Sequence, residues 1–338
     1  MLTVKNSRIV VTAFGGPEVL KYIEEALPEP GQAEVRVKVL AAGVAYADVL
    51  MRRGFYPGTP PLPFTPGYDL VGEIDALGKD VTQFALGQRV GALTVRGAYS
   101  RFAIVPSEIL VPVPDSLDPS EAVCLILNYV TAYQMLHRVA NISSGQRILI
   151  HGAAGGVGTA LLQLGALHGL AMYGTASKSK QGAIVSAGGI PIDYRAENFS
   201  KRVRELSRDG VDAVFDAVGG TNWWRSYRLV RRGGALVCYG VSAVATHGKI
   251  AGAGSFLLLG VLKLIPDGRQ CVWFNVANLR KERPEWFRAD LKILFDLLLQ
   301  RKIQPLIASR LPLREAAQAN EWIEHAKVSG KIVLLCQE

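Results

Sequence analysis

The sequence predicts an α/β protein of two domains, one of them a doubly wound parallel sheet, and three observations carry that expectation. At 338 residues the chain exceeds the length over which one hydrophobic core keeps growing. Its first third alternates short strand-like runs with clusters of Gly, Pro, Asp and Asn, which reads as an antiparallel β-rich region. From Arg147 onward, apolar strand candidates alternate with helix-like stretches, the pattern of a parallel sheet covered on both faces.

The elements follow in order. Residues 34–39 (EVRVKV) set a charged residue against every valine, the period of a strand with one wet face. Further strands are expected near 70–76, 88–93, 101–105 and 109–113. Asp118, Pro119 and Glu121 form a helix start, with a cap, a proline at the first helical position and an acid at capping-box distance. That helix should run to about Val139. RILIH, AMYGT, IPIDY, DAVFDAV and ALVCYG then read as strands. Residues 286–300 and 313–325 have helical spacing, and GKIVLL closes the chain as a strand.

Composition excludes several classes. With 49% hydrophobic and 20% charged residues, the chain is neither disordered nor fibrous. The start, MLTVKNSRIVV, lacks an apolar leader with a cleavage site, so a cytoplasmic location is expected. Cys124, Cys238, Cys271 and Cys336 are far apart and are expected to be reduced and buried. The net charge of +9 is spread along the chain rather than clustered on one element. A solvated basic surface that attracts anionic cofactors is the plainer reading, and no nucleic-acid partner is expected.

The run His151-Gly152-Ala153-Ala154-Gly155-Gly156-Val157-Gly158 follows an apolar strand and opens an apolar helix. Glycines there let backbone approach a pyrophosphate, while the helix start offers N–H groups and the positive end of its dipole. NAD-binding folds place an acid about 20 residues further on, against the ribose 2′-hydroxyl. Here the next strand ends in Ser177, Lys178 and Lys180 with no acid, which favours a 2′-phosphate and therefore NADPH.

Six segments resemble, in order, the zinc-independent quinone oxidoreductase (zeta-crystallin-like) branch of the medium-chain dehydrogenases. They are Ala41–Val44 with Tyr46–Asp48, Arg52–Pro57, Thr65–Gly72, the glycine turn, Asp216–Gly220 and Gly330–Leu334. The resemblance implies a GroES-like catalytic domain (1–126 plus 278–338) with a Rossmann NADPH-binding domain (127–277) inserted in it, and the substrate in the cleft between them. It assigns catalysis and substrate contact to Tyr46 and Tyr56, with Asn128 on the substrate. Thr131, Gly155, Gly156, Val157, Gly158, Ser177, Lys178, Lys180, Tyr194, Val218, Gly240, Phe274, Asn275 and Lys331 fall to the cofactor.

The same resemblance implies a homodimer through the edge strand at 271–277. Zinc-dependent relatives carry Gly-His-Glu where this chain has Gly67-Tyr68-Asp69, so no metal is expected. The implied chemistry is hydride transfer to a small hydrophobic quinone or α,β-unsaturated carbonyl.

Two departures stand out. The family's Asn before the Tyr46 position is Ala45 here, so Asn128, a backbone group or an unusual substrate must answer for it. The apolar segment 255–265 has three readings: a helix packed on the core, a lid for a hydrophobic substrate, or a peripheral membrane contact. A non-catalytic or RNA-binding protein and a vesicle-amine-transport-like membrane-associated protein are the competing functions.

Overall fold

In the computed structural model, which describes residues 5–337 and leaves the side chains of 245–251 undescribed, the chain forms two units. The first runs to Leu127 and resumes at Leu291; the second is Asn128–Asp290. The second unit thus extends past the expected boundary at 277. Its last residue, the fully buried Asp290, accepts hydrogen bonds from Gln134 Nε2 (3.1 Å) and Arg138 Nη2 (2.8 Å), which tie it to that unit.

In the first unit, β1 (Lys5–Val11) and β2 (Leu20–Ala26) form an antiparallel hairpin. β3 (Glu34–Val44), helix α1 (Tyr46–Arg52), β4 (Asp69–Leu77), β5 (Arg89–Ala92), β6 (Phe102–Pro106), β7 (Leu110–Pro112) and α2 (Pro119–Cys124) follow. Asp118 caps α2 as expected, Oδ1 accepting from Ser120 N (2.8 Å) and Glu121 N (3.0 Å). The expected single helix to Val139 is interrupted. π-helical turns at Leu125–Tyr129 and Met135–Val139 flank α3 (Val130–Gln134). Such bulges re-aim side chains and often mark functional positions.

The second unit continues with β8 (Arg147–Ile150), α4 (Gly156–Leu167), β9 (Ala171–Ala176), α5 (Gly182–Ser186) and β10 (Ile190–Asp193). Next come α6 (Phe199–Ser207), β11 (Val211–Asp216), α7 (Thr221–Tyr227), β12 (Val230–Cys238), α8 (Ala243–Lys263), β13 (Gln270–Trp273) and α9 (Val276–Glu282). The six strands pair in parallel in the order β10-β9-β8-β11-β12-β13. Strand order reverses between β8 and β11, the topological switch point outside which doubly wound sheets bind ligands.

β13 is an edge strand, but it ends at Trp273 rather than Ala277. Asn275 Oδ1 accepts from Ala277 N (2.9 Å) and Asn278 N (3.1 Å), and so starts α9 where a strand was expected.

The chain returns to the first unit within α10 (Pro284–Leu299), followed by β14 (Ile307–Pro312), α11 (Ala316–Glu324) and β15 (Lys331–Leu335). β15 joins the first unit's seven-stranded sheet, of order β14-β15-β3-β4-β5-β7 with β6 on β3. This closes the β-rich unit from both chain ends. The segment 255–265 lies mostly in α8: Leu259 and Leu262 are buried, while Leu257, Val261 and Leu264 are exposed. Among the described residues no helix is long and apolar enough to cross a membrane.

Candidate functional site

The glycine turn is held at the carboxyl ends of β8, β9 and β11 by a buried polar chain. Ser226 Oγ donates to Asp216 Oδ2 at 2.7 Å, which spends its only proton. His151 Nε2 must therefore donate to Ser226 Oγ (3.0 Å), leaving Nδ1 to accept from Thr175 Oγ1 (3.1 Å). Burial lowers the His151 pKa against the pull of Asp216, in keeping with this neutral tautomer. Thr175 Oγ1 also accepts from Gly152 N (3.3 Å), and Ala153 N donates to Thr175 O (3.1 Å).

The turn then feeds α4. A Cβ on Gly158 would lie 2.4 Å from Gly152 O and 2.6 Å from Ala153 Cα, so only glycine lets the helix start this close to the turn. Gly155 is exposed and Gly156 and Val157 are half-buried at the helix start, where backbone N–H groups have no intrahelical acceptor. Asn128, buried in the first π-helical turn, rests its side-chain amide against Gly156, where a Cβ would meet Nδ2 at 2.1 Å.

Three residues on, the Thr131 hydroxyl is buried and has no hydrogen-bond partner. A buried hydroxyl left this way loses its hydration uncompensated. A polar ligand group would supply the missing bond. The residues present therefore fit a dinucleotide.

At the end of β9, Ser177 and Lys180 are half-buried and Lys178 is exposed. Burial, and then the charge of Arg195, lower the Lys180 pKa. Asp193 pairs with Ala176 across β10 and β9, which brings Tyr194 and Arg195 beside this corner. The Arg195 guanidinium lies 5.8 Å from the Tyr194 ring centroid, and that ring is half exposed. A phosphate here would relieve the repulsion between Lys180 and Arg195.

The sequence reading missed Arg195, because the expected contacts ended at Lys180 on one strand and at Tyr194 on the next. Val218 is half-buried, its N–H donating to Asp216 Oδ1 at 2.8 Å. Gly240 is half-buried against Ala217, buried Phe274 donates its N–H to Cys238 O at 2.8 Å, and Asn275 caps α9.

The remaining candidates lie in the first unit. Tyr46 opens α1, half-buried; burial and the Glu324 charge raise its pKa while Arg53 opposes them, so its hydroxyl stays protonated. Glu324 is itself gripped by Arg52 and Arg53. The half-buried Tyr56 meets the buried Tyr68 hydroxyl to hydroxyl at 2.9 Å, their rings edge-on with centroids 6.3 Å apart.

Asp69, next to Tyr68, is fully buried and takes Lys331 Nζ on both oxygens at 2.9 and 3.1 Å. Lys331, expected at the cofactor, is thus buried with its ammonium on Asp69. The Ala45 N–H donates to Asp48 Oδ2 at 2.9 Å, so that backbone group is already engaged and does not replace the family's Asn side chain. Among the described residues no three His, Cys, Asp or Glu side chains gather to hold a metal ion, and the His247 side chain lies outside the described residues.

Comparison with known proteins gives two family models: alcohol dehydrogenase GroES-like domain over residues 31–115 and zinc-binding dehydrogenase over 189–334. A quinone oxidoreductase of Pseudomonas aeruginosa is 35% identical over 97% of this chain and 99% of its own length. The human synaptic vesicle membrane protein VAT-1 homolog is 33% identical, over 97% of this chain and 86% of that one. The crystal structure of Escherichia coli quinone oxidoreductase complexed with NADPH superposes with a TM-score of 0.87 at 27% identity, covering 97% and 99% of the two chains.

Proposed function

Because the chain belongs to the zinc-independent medium-chain dehydrogenase/reductase family, in its quinone oxidoreductase branch, we propose that it uses NADPH to reduce quinones or the carbon–carbon double bond of α,β-unsaturated carbonyls. NADPH, when bound, supplies the hydride. The second unit's turn (Gly155, Gly156, Val157, Gly158) receives the pyrophosphate, and Ser177, Lys178, Lys180 and Arg195 receive the 2′-phosphate. Thr131, Asn128, Tyr194, Val218, Gly240, Phe274 and Asn275 line the rest of the cofactor and the substrate's reacting end. Lys331 holds the buried Asp69 beside Tyr68.

The observation that carries the choice of substrate class is the Tyr56–Tyr68 hydroxyl pair at 2.9 Å. It stands where zinc-dependent relatives have a ligating His, and the neighbouring Asp69 is committed to Lys331. The donor set suits an acceptor that is electrophilic without a metal, which quinones and enones are. Negative charge then develops on the substrate oxygen, where positioned hydroxyl donors are most effective. Tyr56 donates to that oxygen, Tyr68 orients Tyr56, and Tyr46 is a second donor. None of them has to surrender its proton, because water protonates the product.

Turnover with NADPH deuterated at the transferred position tests this. An enone product carrying deuterium on its β-carbon assigns enone reduction. Turnover of quinones alone, with the label lost to solvent from the hydroquinone hydroxyl, assigns quinone reduction. Oxidation of NADPH by neither class would refute the proposal.

A membrane-surface role is the second reading, and the exposed Leu257 and Val261 on α8, with Leu264 just past its end, favour it. Liposome flotation decides it. We also propose a homodimer through the β13 edge, which light scattering of the purified protein tests.

A further inference from the structure

Asp48 has no solvent exposure and lies in the first turn of α1, two residues after Tyr46. Its carboxyl gathers three donors from three separate segments. Ala45 N–H reaches Oδ2 at 2.9 Å, the Tyr99 hydroxyl reaches Oδ2 at 3.0 Å, and Gly67 N–H reaches Oδ1 at 3.1 Å. A carboxylate accepts all three, whereas a protonated carboxyl would turn a donor toward donors.

The Gly67 contact depends on glycine. Its φ is +109°, and a Cβ there would lie 2.6 Å from the Tyr99 backbone nitrogen. Tyr68, whose hydroxyl meets Tyr56, follows directly. One side chain therefore fastens the start of the helix that carries Tyr46 to the segment that carries Tyr68.

We propose that Asp48 is a positioning residue for the reduction, its ionised carboxylate holding the Tyr46 and Tyr68–Tyr56 hydroxyls in a single arrangement. The inference rests on the reductase reading above. The surroundings make its ionisation matter near neutrality. Burial pushes the Asp48 pKa up to about 7, the bonds from Ala45, Tyr99 and Gly67 pulling back and the Asp69 charge pushing further. The facing groups are Tyr99, whose own pKa is held well above the ordinary range, and Asp69, paired with Lys331.

Activity should accordingly rise with pH through about 7 as Asp48 ionises. Stability from this group runs the other way. A carboxyl whose folded pKa is raised contributes at low pH and loses that contribution as pH rises through the folded value. A merely structural Asp48 would make activity follow stability downward over the same range, so the two roles are separable.

The test is the pH profile of kcat/KM in wild type and in Asp48→Asn, alongside selectively 15N-labelled amides of Ala45 and Gly67. Wild type should show an ascending limb near 7, with both amides titrating at the same midpoint. Asp48→Asn should lose the limb and about tenfold of the plateau rate, with NADPH affinity unchanged. If that variant does not fold, Tyr99→Phe removes one donor and should move the limb to higher pH. Amides that stay still across the range, or a limb that persists in Asp48→Asn, would overturn the proposal. Wild type that reduces no acceptor would refute the reductase reading and the catalytic use of Asp48 with it, while the amide titration would still decide whether the clamp exists.

Discussion

Replacing Tyr56 by Phe removes one hydroxyl and keeps the ring, so it separates chemistry from packing. The lost bond is the 2.9 Å contact to Tyr68. A neutral hydrogen bond of this kind contributes about 1 kcal/mol to stability, so the variant should stay folded with a slightly lower midpoint. The rate should fall further than that. A donor removed from an enclosed oxyanion site costs about 10²–10³ in rate, and a half-buried hydroxyl should cost less, about tenfold or ~1.4 kcal/mol of barrier.

Stopped-flow single turnover measures the hydride step free of product release, with NADPH affinity as the internal check. If Tyr68 acts by orienting Tyr56, Tyr68→Phe should slow the step comparably. The double variant should then lose about tenfold rather than a hundredfold, since the two share one role. Tyr46→Phe is the matched control. A Tyr56→Phe rate equal to wild type would refute the assignment, and a raised KM at unchanged rate would leave Tyr56 in substrate binding alone.

Other outcomes follow from the same contacts. Replacing Lys178, Lys180 and Arg195 together by Ala should weaken NADPH at least tenfold, about 1.4 kcal/mol, and leave NADH nearly unchanged; equal losses in isothermal titration would remove them from the phosphate. Lys331→Met strands the buried Asp69 and should cost about 3–5 kcal/mol in denaturant unfolding; a loss below about 1 kcal/mol would show that the pair carries little. His151 has a lowered pKa, so its contribution is present above the unfolded value and lost as pH falls through the folded one. Acid should therefore destabilise the fold through this group, and His151→Gln should flatten that dependence in denaturant unfolding across pH; an unchanged slope would place the proton elsewhere.

The parts of the fold written in local chemistry were legible in the sequence. The β8 strand, the glycine turn and α4 declare themselves because each needs its own residue types at fixed spacing. Asp118 and Pro119 mark a helix start for the same reason. The β1–β2 hairpin did not show, since KNSRIVV buries residues in an irregular order with no clean alternation. β13 was read too long because Asn275 looks like one more residue of an apolar run until its side chain is seen to cap α9.

In the candidate site, Tyr68 was read only as the loss of a histidine, yet its buried hydroxyl is the partner of Tyr56. Asp48 was one letter in a family motif. Its weight comes from Gly67 and Tyr99, residues 19 and 51 positions away, which local spacing cannot bring to it. Arg195 escaped because its neighbour Lys180 lies on a different strand's end, and only the parallel pairing of β9 with β10 joins them.

Oxidation of NADPH by the chelator-treated protein, with a quinone and an enone as acceptors and NADH as the competing donor, bears most directly on the central claim. Acceptor-dependent oxidation that survives chelation, with kcat/KM for NADPH at least tenfold above that for NADH, is the predicted result, the margin being one phosphate's worth of binding at about 1.4 kcal/mol. Loss of activity on chelation with recovery on adding zinc, or equal use of the two nucleotides, would contradict it.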